Sequence, residues 1–245
     1  YGKIRGVENL NLKLNKGEIF GFIGPNGAGK STTIRCIMNL INYQKGDIYI
    51  DKELNKKSLF KIKEDIGYLP GEINLYDDLT VNGMIKYSNE FYKKNCTPRA
   101  KFLLKEFELD GKKKIEELSL GNLKKLGIVL TMMHEPKLLI FDEATSGLDP
   151  LMQEKFYKLL KEEKDKGTTV FYSSHVLSEI KKVCDRVGII KEGKLIKIAK
   201  VDEINESNSL IIYIKSNDIK EIKKQITDVI EEEKNSIKFI YNKNI

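Results

Sequence analysis

The sequence predicts an α/β fold with a parallel sheet at its centre, a helical block inserted into it and a small α+β tail behind it. Three observations predict this. Short apolar runs of strand length alternate with amphipathic stretches of helix length. From about residue 75 to 135 that alternation stops, and helical patterns follow one another. After about residue 204 the texture shifts again, and the basic excess ends, with seven lysines against seven acidic residues from 204 onward.

The elements follow in order. The stretch up to Gly24 alternates polar and apolar residues around the turn signal Asn15-Lys16-Gly17, and reads as strands. Glu18–Ile23 is a dense apolar strand, and a helix is expected from Lys30 to about Leu40. Residues 46–55 alternate with period two, as an exposed strand or hairpin does, and Ile66–Pro70 contains another short strand. In the insert, Thr80 caps a helix from Val81 to Tyr92, and Thr97-Pro98 is an N-cap followed by proline at the first helical position. A third helix runs from Leu120 to about His134 before Pro136 breaks the chain. Leu138–Phe141 is a buried strand, Pro150–Lys166 a helix stopped at Gly167, and Thr168–Tyr172 a strand. Val176–Val183 is a helix, and Arg186–Ile198 a hairpin turning at Glu192-Gly193. In the tail, Leu210–Ile214 and Ile237–Tyr241 are strands, with Ile219, Ile222 and Ile226 on one helix face between them, a βαβ-like appendage over 205–245.

Composition narrows the function. No apolar run approaches the ~20 residues of a membrane span, and the N-terminus has no apolar signal region. Three cysteines, Cys36, Cys96 and Cys184, lie far apart in expected helices, which excludes a disulfide scaffold or zinc ribbon. Net charge is +7, and 39 of the 43 basic residues are lysine, a hydrated point charge that most often faces solvent.

Two motifs carry chemistry. Residues 24–32 read GPNGAGKST, the full G-x-x-x-x-G-K-[ST] pattern, between an expected strand and an expected helix. Gly24, Gly27 and Gly29, with Pro25, Asn26 and Ala28, let backbone N–H groups curl around a phosphate at a helix N-terminus. Lys30 reaches the β- and γ-phosphates, Ser31 is placed to ligate Mg²⁺, and Thr32 follows it. The second motif is KLLIFDEAT, residues 137–145, which sets Asp142 and Glu143 at the end of an apolar strand. A carboxylate there holds Mg²⁺, and its neighbour faces the attacking water as general base.

With these motifs in view, the chain resembles the ATP-binding subunit of ABC transporters over roughly residues 1–204. The D-loop matches Ser146–Pro150 with Asp149, the switch histidine matches His175 in SSHVLSEI, and the adenine-stacking A-loop residue matches Tyr1. The signature appears as LSLGN, which keeps Ser119 and Gly121 and ends on Asn122 in place of glutamine. The usual Q-loop glutamine is Gly71 here, followed by Glu72; either Glu72 or a water takes over part of its role, or the Q-loop ligand is dispensable in this branch. The resemblance implies a P-loop NTPase of ABC type, with a mixed central sheet, an antiparallel β subdomain and a helical subdomain at 75–135.

The resemblance also implies the function, beginning with nucleotide and metal: ATP and Mg²⁺ are the cofactors. Two copies, or this chain and a paired ATPase subunit, sandwich ATP, with Ser119 of one meeting the nucleotide of the other. The work is delivered to a transmembrane permease at the cytoplasmic face of the membrane, docked near the insert, where Tyr76, Leu79, Phe91 and Tyr92 are candidates for the groove or, each taken singly, for the core of the insert. The form of LSLGN and of the Q-loop resembles exporters of drugs, antimicrobial peptides or lipids. His134 reads as structural. A soluble ABC ATPase acting on nucleic acid or the ribosome is the alternative; such relatives carry tandem domains or a long coiled coil, which this chain lacks, and no nucleic-acid partner is expected. A non-catalytic regulator is disfavoured by the presence of both Glu143 and His175.

Overall fold

The computed structural model describes residues 6–55, 63–205, 209–215, 229–233 and 236–242. The chain divides into two compact units, Tyr1–Ala199 and Lys200–Ile245.

The first unit is built on a six-stranded sheet of order β4-β5-β6-β1-β7-β8. The strands are β1 (Ile19–Ile23), β4 (Ile66–Leu69), β5 (Leu138–Asp142), β6 (Thr169–Ser174), β7 (Arg186–Lys191) and β8 (Lys194–Lys200). Pairs β4/β5, β5/β6, β1/β6 and β1/β7 are parallel. Strands buried on both faces read as continuous apolar runs, which is why IFGFI and LLIF stand out in the sequence. A two-residue turn joins β7 to β8, with positive φ at both Glu192 and Gly193, the geometry that closes tight hairpins. The separate pair β2 (Tyr49–Ile50) and β3 (Glu53–Leu54) is the exposed antiparallel hairpin expected at 46–55.

The core lies between this sheet and α1 (Lys30–Ile37), around Phe20, Phe22, Ile34, Ile140 and Phe171. The Phe22 and Phe171 rings sit 5.3 Å apart, tilted, on neighbouring strands. Residues 6–18 do not form strands, contrary to expectation. Leu10, Leu12 and Leu14 still pack on the core, so the period-two pattern reports a buried face without reporting a ladder.

Between β4 and β5 the chain forms α2 (Val81–Asn89), α3 (Thr97–Glu106), a short 3₁₀ turn (Ile115–Glu117) and α4 (Leu120–Met132). Thr80 caps α2 by accepting the Gly83 N–H at 3.0 Å. The cap of α3 differs from expectation. Cys96 holds the N-cap position without capping the helix through its side chain, Thr97 is already helical, and Asn95 accepts the Thr97 N–H at 3.0 Å. Ser119 caps α4 through the Asn122 N–H. After β5 come α5 (Pro150–Asp165), capped by Asp149, and α6 (Leu177–Val183). Arg99 of α3 bonds Glu163 of α5 at 2.6 Å, with both side chains largely buried, and so ties the helical block to the sheet's own helices. Cys36 lies in α1 as expected, but Cys96 and Cys184 terminate helices instead of sitting within them; burial raises all three thiol pKa values.

In the second unit, α7 (Val201–Asn205) precedes β9 (Ser209–Lys215), β10 (Val229–Glu233) and β11 (Ser236–Asn242). These strands form an antiparallel sheet of order β10-β11-β9, not the parallel pairing of a βαβ unit. Ile219, Ile222 and Ile226 lie outside the described residues.

Candidate active site

Parallel register brings three strand ends together. Ile23 of β1 pairs with Ser174 of β6, and Asp142 of β5 pairs with Ser173 of β6. The loop 24–29, the Asp142-Glu143 pair and Ser174-His175 therefore leave one edge of the sheet side by side. This is the carboxyl end of the strands, where open α/β sheets bind ligands.

The loop is shaped by its glycines. A Cβ at Gly24 would lie 2.3 Å from the Ile190 carbonyl, so only glycine fits beside β7. Gly27 and Gly29 have φ of 77° and 108°, and the space at Gly27 is open. Exposed Pro25, Asn26 and Gly27 form the tip, buried Ala28 anchors it, and half-buried Ser31 and Thr32 follow in the first turn of α1. Lys30 is 4% exposed and donates to the Gly24 carbonyl at 2.8 Å and to the Pro25 carbonyl at 3.2 Å.

Glu143 joins the parts. Its Oε1 is 3.3 Å from Lys30 Nζ and 3.3 Å from His175 Nδ1. Its φ of 51° is unusual for a residue with a side chain, and two backbone bonds hold it there, Glu143 N–H to the Ser173 carbonyl and Ser146 N–H to the Glu143 carbonyl. Asp142 is buried, and Ser173 Oγ donates to its Oδ1 at 2.6 Å. A cavity of about 220 Å³ opens beside Glu143, Ser146 and His175.

Sequence reasoning missed the support behind these groups. Glu179 accepts bonds from Thr145 Oγ1 at 2.9 Å, Tyr172 Oη at 2.8 Å and Ser174 Oγ at 2.6 Å. One carboxylate thus braces the turn after Glu143 and the turn before His175. The Tyr172 hydroxyl is accordingly held protonated by burial and by the nearby Glu179 charge. The spacing of Ser174 and Glu179 was the available signal, but in sequence it reads only as a polar helix start. Lys124 was missed as well. It is 3% exposed in α4 and donates to the Gly71 carbonyl at 2.9 Å. Burial lowers its pKa, while the Asp142 and Glu143 charges oppose that shift. Glu72, expected to serve this loop, is exposed.

The remaining expected residues are placed separately. Ser119 is exposed, Gly121 and Asn122 are half-buried at the start of α4, and a Cβ at Gly121 would lie 2.7 Å from the Gly147 carbonyl. Asp149 is exposed and accepts the Met152 N–H at 3.0 Å. Tyr1 lies outside the described residues. On the insert, Tyr76 and Phe91 are exposed and meet through Tyr87, with ring centroids 5.4 Å and 5.2 Å apart. Tyr92 does not join them; it stacks on His134 at 4.2 Å. Leu79 is half-buried.

His134 is a structural group. Its Nε2 donates to the Ile66 carbonyl at 3.2 Å, and burial pushes its pKa down from 6.5 to about 4. The folded state keeps this ring neutral where the unfolded chain takes up a proton. Its contribution is complete above about pH 6.5 and is lost as pH falls toward about 4, by roughly 3 kcal/mol in all. The urea midpoint of the parent is therefore expected to fall more steeply over that window than that of His134→Gln. Parallel slopes would reject the assignment.

The ABC transporter family profile matches residues 7–146. The linearmycin resistance ATP-binding protein LnrL of Bacillus subtilis is 38% identical over 81% of this chain and 65% of its own length. The bacitracin transport ATP-binding protein BcrA of Bacillus licheniformis is 36% identical over 89% of this chain and 72% of its own. The chain thus spans about two thirds of the length of these relatives. The ATP-binding cassette MJ0796, solved as a dimer in a post-hydrolysis state with ADP and Pi, superposes with a TM-score of 0.73 at 27% identity, over 80% of this chain and 90% of that one. A profile covering more than half of the residues, relatives above 30% identity and a shared cassette fold establish that this chain belongs to the ABC transporter family, as an ATP-binding domain.

Proposed function

We propose that this chain binds ATP with Mg²⁺ at the carboxyl edge of its sheet, hydrolyses it in a two-protomer sandwich and drives export through a separate membrane permease. The observation that carries the reading is Glu143, placed within 3.3 Å of both Lys30 and His175. A base between a phosphate-binding cation and a histidine suits phosphoryl transfer to water, which depends on positioning and charge stabilisation.

The donor set fits a magnesium nucleotide. Lys30 offers an ammonium, Ser31 a hydroxyl and Asp142 a buried carboxylate already oriented by Ser173. Among the described residues no three His, Cys, Asp or Glu side chains cluster as a metal cage. That suits Mg²⁺, which takes few protein ligands and relies on phosphate oxygens and water. When bound, the ion neutralises charge on the triphosphate. The chain's own part is to hold the phosphates with the loop and Lys30, to receive a proton at Glu143 and to orient Glu143 through His175.

Ser119, Gly121 and Asn122 lie on exposed or half-buried surface at the head of α4, available to a second copy, and MJ0796 is dimeric. Among the described residues no helix is long and apolar enough to cross a membrane. The spanning partner in this reading is a separate permease, met at the cytoplasmic face of the membrane. The exposed aromatics Tyr76, Tyr87 and Phe91 are the contact we assign to it. The names of LnrL and BcrA direct the cargo reading to antibiotic-type compounds. The purified chain is expected to bind ATP and release phosphate only with Mg²⁺ present, and to co-purify from detergent with a polytopic membrane protein. ATP binding insensitive to EDTA, or no turnover, would reject the catalytic reading; absence of a membrane partner would reject only the transport reading.

A further inference from the structure

Residue 71 is where the loop after β4 meets Asp142. A Cβ built on Gly71 would lie 3.8 Å from the Asp142 carbonyl oxygen and 3.8 Å from its Oδ2. Ser173 engages Oδ1, so Oδ2 is the oxygen turned toward this loop. Glycine brings no side chain to that place. What reaches the loop instead is Lys124, from the helical block, through its bond to the Gly71 carbonyl.

A buried ammonium is costly, and one bond to a neutral carbonyl offsets little of that cost. An apolar side chain of the same length would suit packing better. The charge is tolerated because two carboxylates, Asp142 and Glu143, lie near enough to favour it. The same field acts in reverse: a fixed positive charge weakens the attraction of that carboxylate pair for a second cation.

We propose that Lys124 is a positioning residue of the ATPase site, holding residue 71 beside Asp142 and setting, by its charge, how strongly the Asp142–Glu143 pair attracts a divalent cation. The proposal rests on the Mg²⁺ role assigned to Asp142 above. It gives the helical block a direct line to the metal-binding edge of the sheet, through a side chain instead of through the loop's own residue.

The test is a Mg²⁺ titration of binding to a fluorescent ATP analogue, with the full chain. Lys124→Met and Lys124→Gln are expected to lower the half-saturating Mg²⁺ about fivefold, as loss of one nearby charge predicts. Lys124→Arg is expected to stay within twofold. The kcat of Lys124→Met is expected to fall more than its KM changes. A half-saturating Mg²⁺ within twofold of the parent in both neutral variants would overturn the proposal. So would an equal shift in Lys124→Arg, which would assign the effect to shape. An Asp142→Asn variant with parent-like Mg²⁺ dependence rejects the metal role of Asp142 itself, whereas failure confined to the lysine variants rejects only the role of Lys124.

Discussion

Glu143→Gln is expected to slow ATP hydrolysis by about 10²-fold or more while leaving ATP bound. The amide has the shape of the carboxylate and can occupy the same left-handed backbone position, held by the same bonds to Ser173 and Ser146. It cannot receive a proton from water. It also removes a negative charge 3.3 Å from Lys30, which leaves that ammonium freer for phosphate. Binding is therefore expected to tighten or hold while turnover collapses, and the ATP-bound dimer to accumulate. Phosphate release and size-exclusion chromatography with ATP measure the two effects. Turnover at the parent rate would remove Glu143 from the chemistry; a dimer that fails to accumulate would leave the base intact and reject the sandwich.

The elements were legible in the sequence wherever a local signal decides the structure. Gly24 announces itself because no side chain fits against the Ile190 carbonyl, and IFGFI because a two-sided strand is apolar throughout. Signals failed where pairing or partners decide. Residues 6–18 carry a strand's alternation without a neighbouring ladder. Val229–Glu233 is a strand despite three consecutive glutamates, which depress strand propensity and hide it. The N-cap falls on Cys96 and not on Thr97 because Asn89 and Asn95 accept the Cys96 and Thr97 N–H groups, and the helix opens one residue early.

The site shows the same division. Contiguous motifs name the P-loop, Asp142, Glu143 and His175 as candidates, and the fold brings them to one edge of the sheet. Glu179, Ser173 and Lys124 are not so named, because each is defined by a contact across the fold: to Thr145, to Asp142 and to Gly71. A lysine in a helix of thirteen residues reads as solvated until the loop it touches is known. Tyr92 could serve the groove or the core of the insert as far as the sequence tells, and its stacking on the His134 ring decides for the core.

Lys30→Met is expected to lower ATP affinity by about 10²-fold and to leave AMP affinity nearly unchanged. The ammonium is 4% exposed and makes three contacts, to the Gly24 and Pro25 carbonyls and to Glu143. Two of these close the loop on itself, so Lys30 shapes the cradle as well as charging it. Methionine fills the volume but leaves two carbonyls without their donor and Glu143 without its cation, a loss of about 1–3 kcal/mol in stability. Glu143 is 29% exposed, so solvent limits the larger penalty of a fully buried broken pair. The charge lost is the one directed at the β- and γ-phosphates, which AMP does not carry. Comparing ATP with AMP therefore separates two explanations. A loss confined to ATP assigns Lys30 to the outer phosphates; an equal loss for both nucleotides would mean that the loop has collapsed and that its shape, not the lysine charge, recognises the ligand.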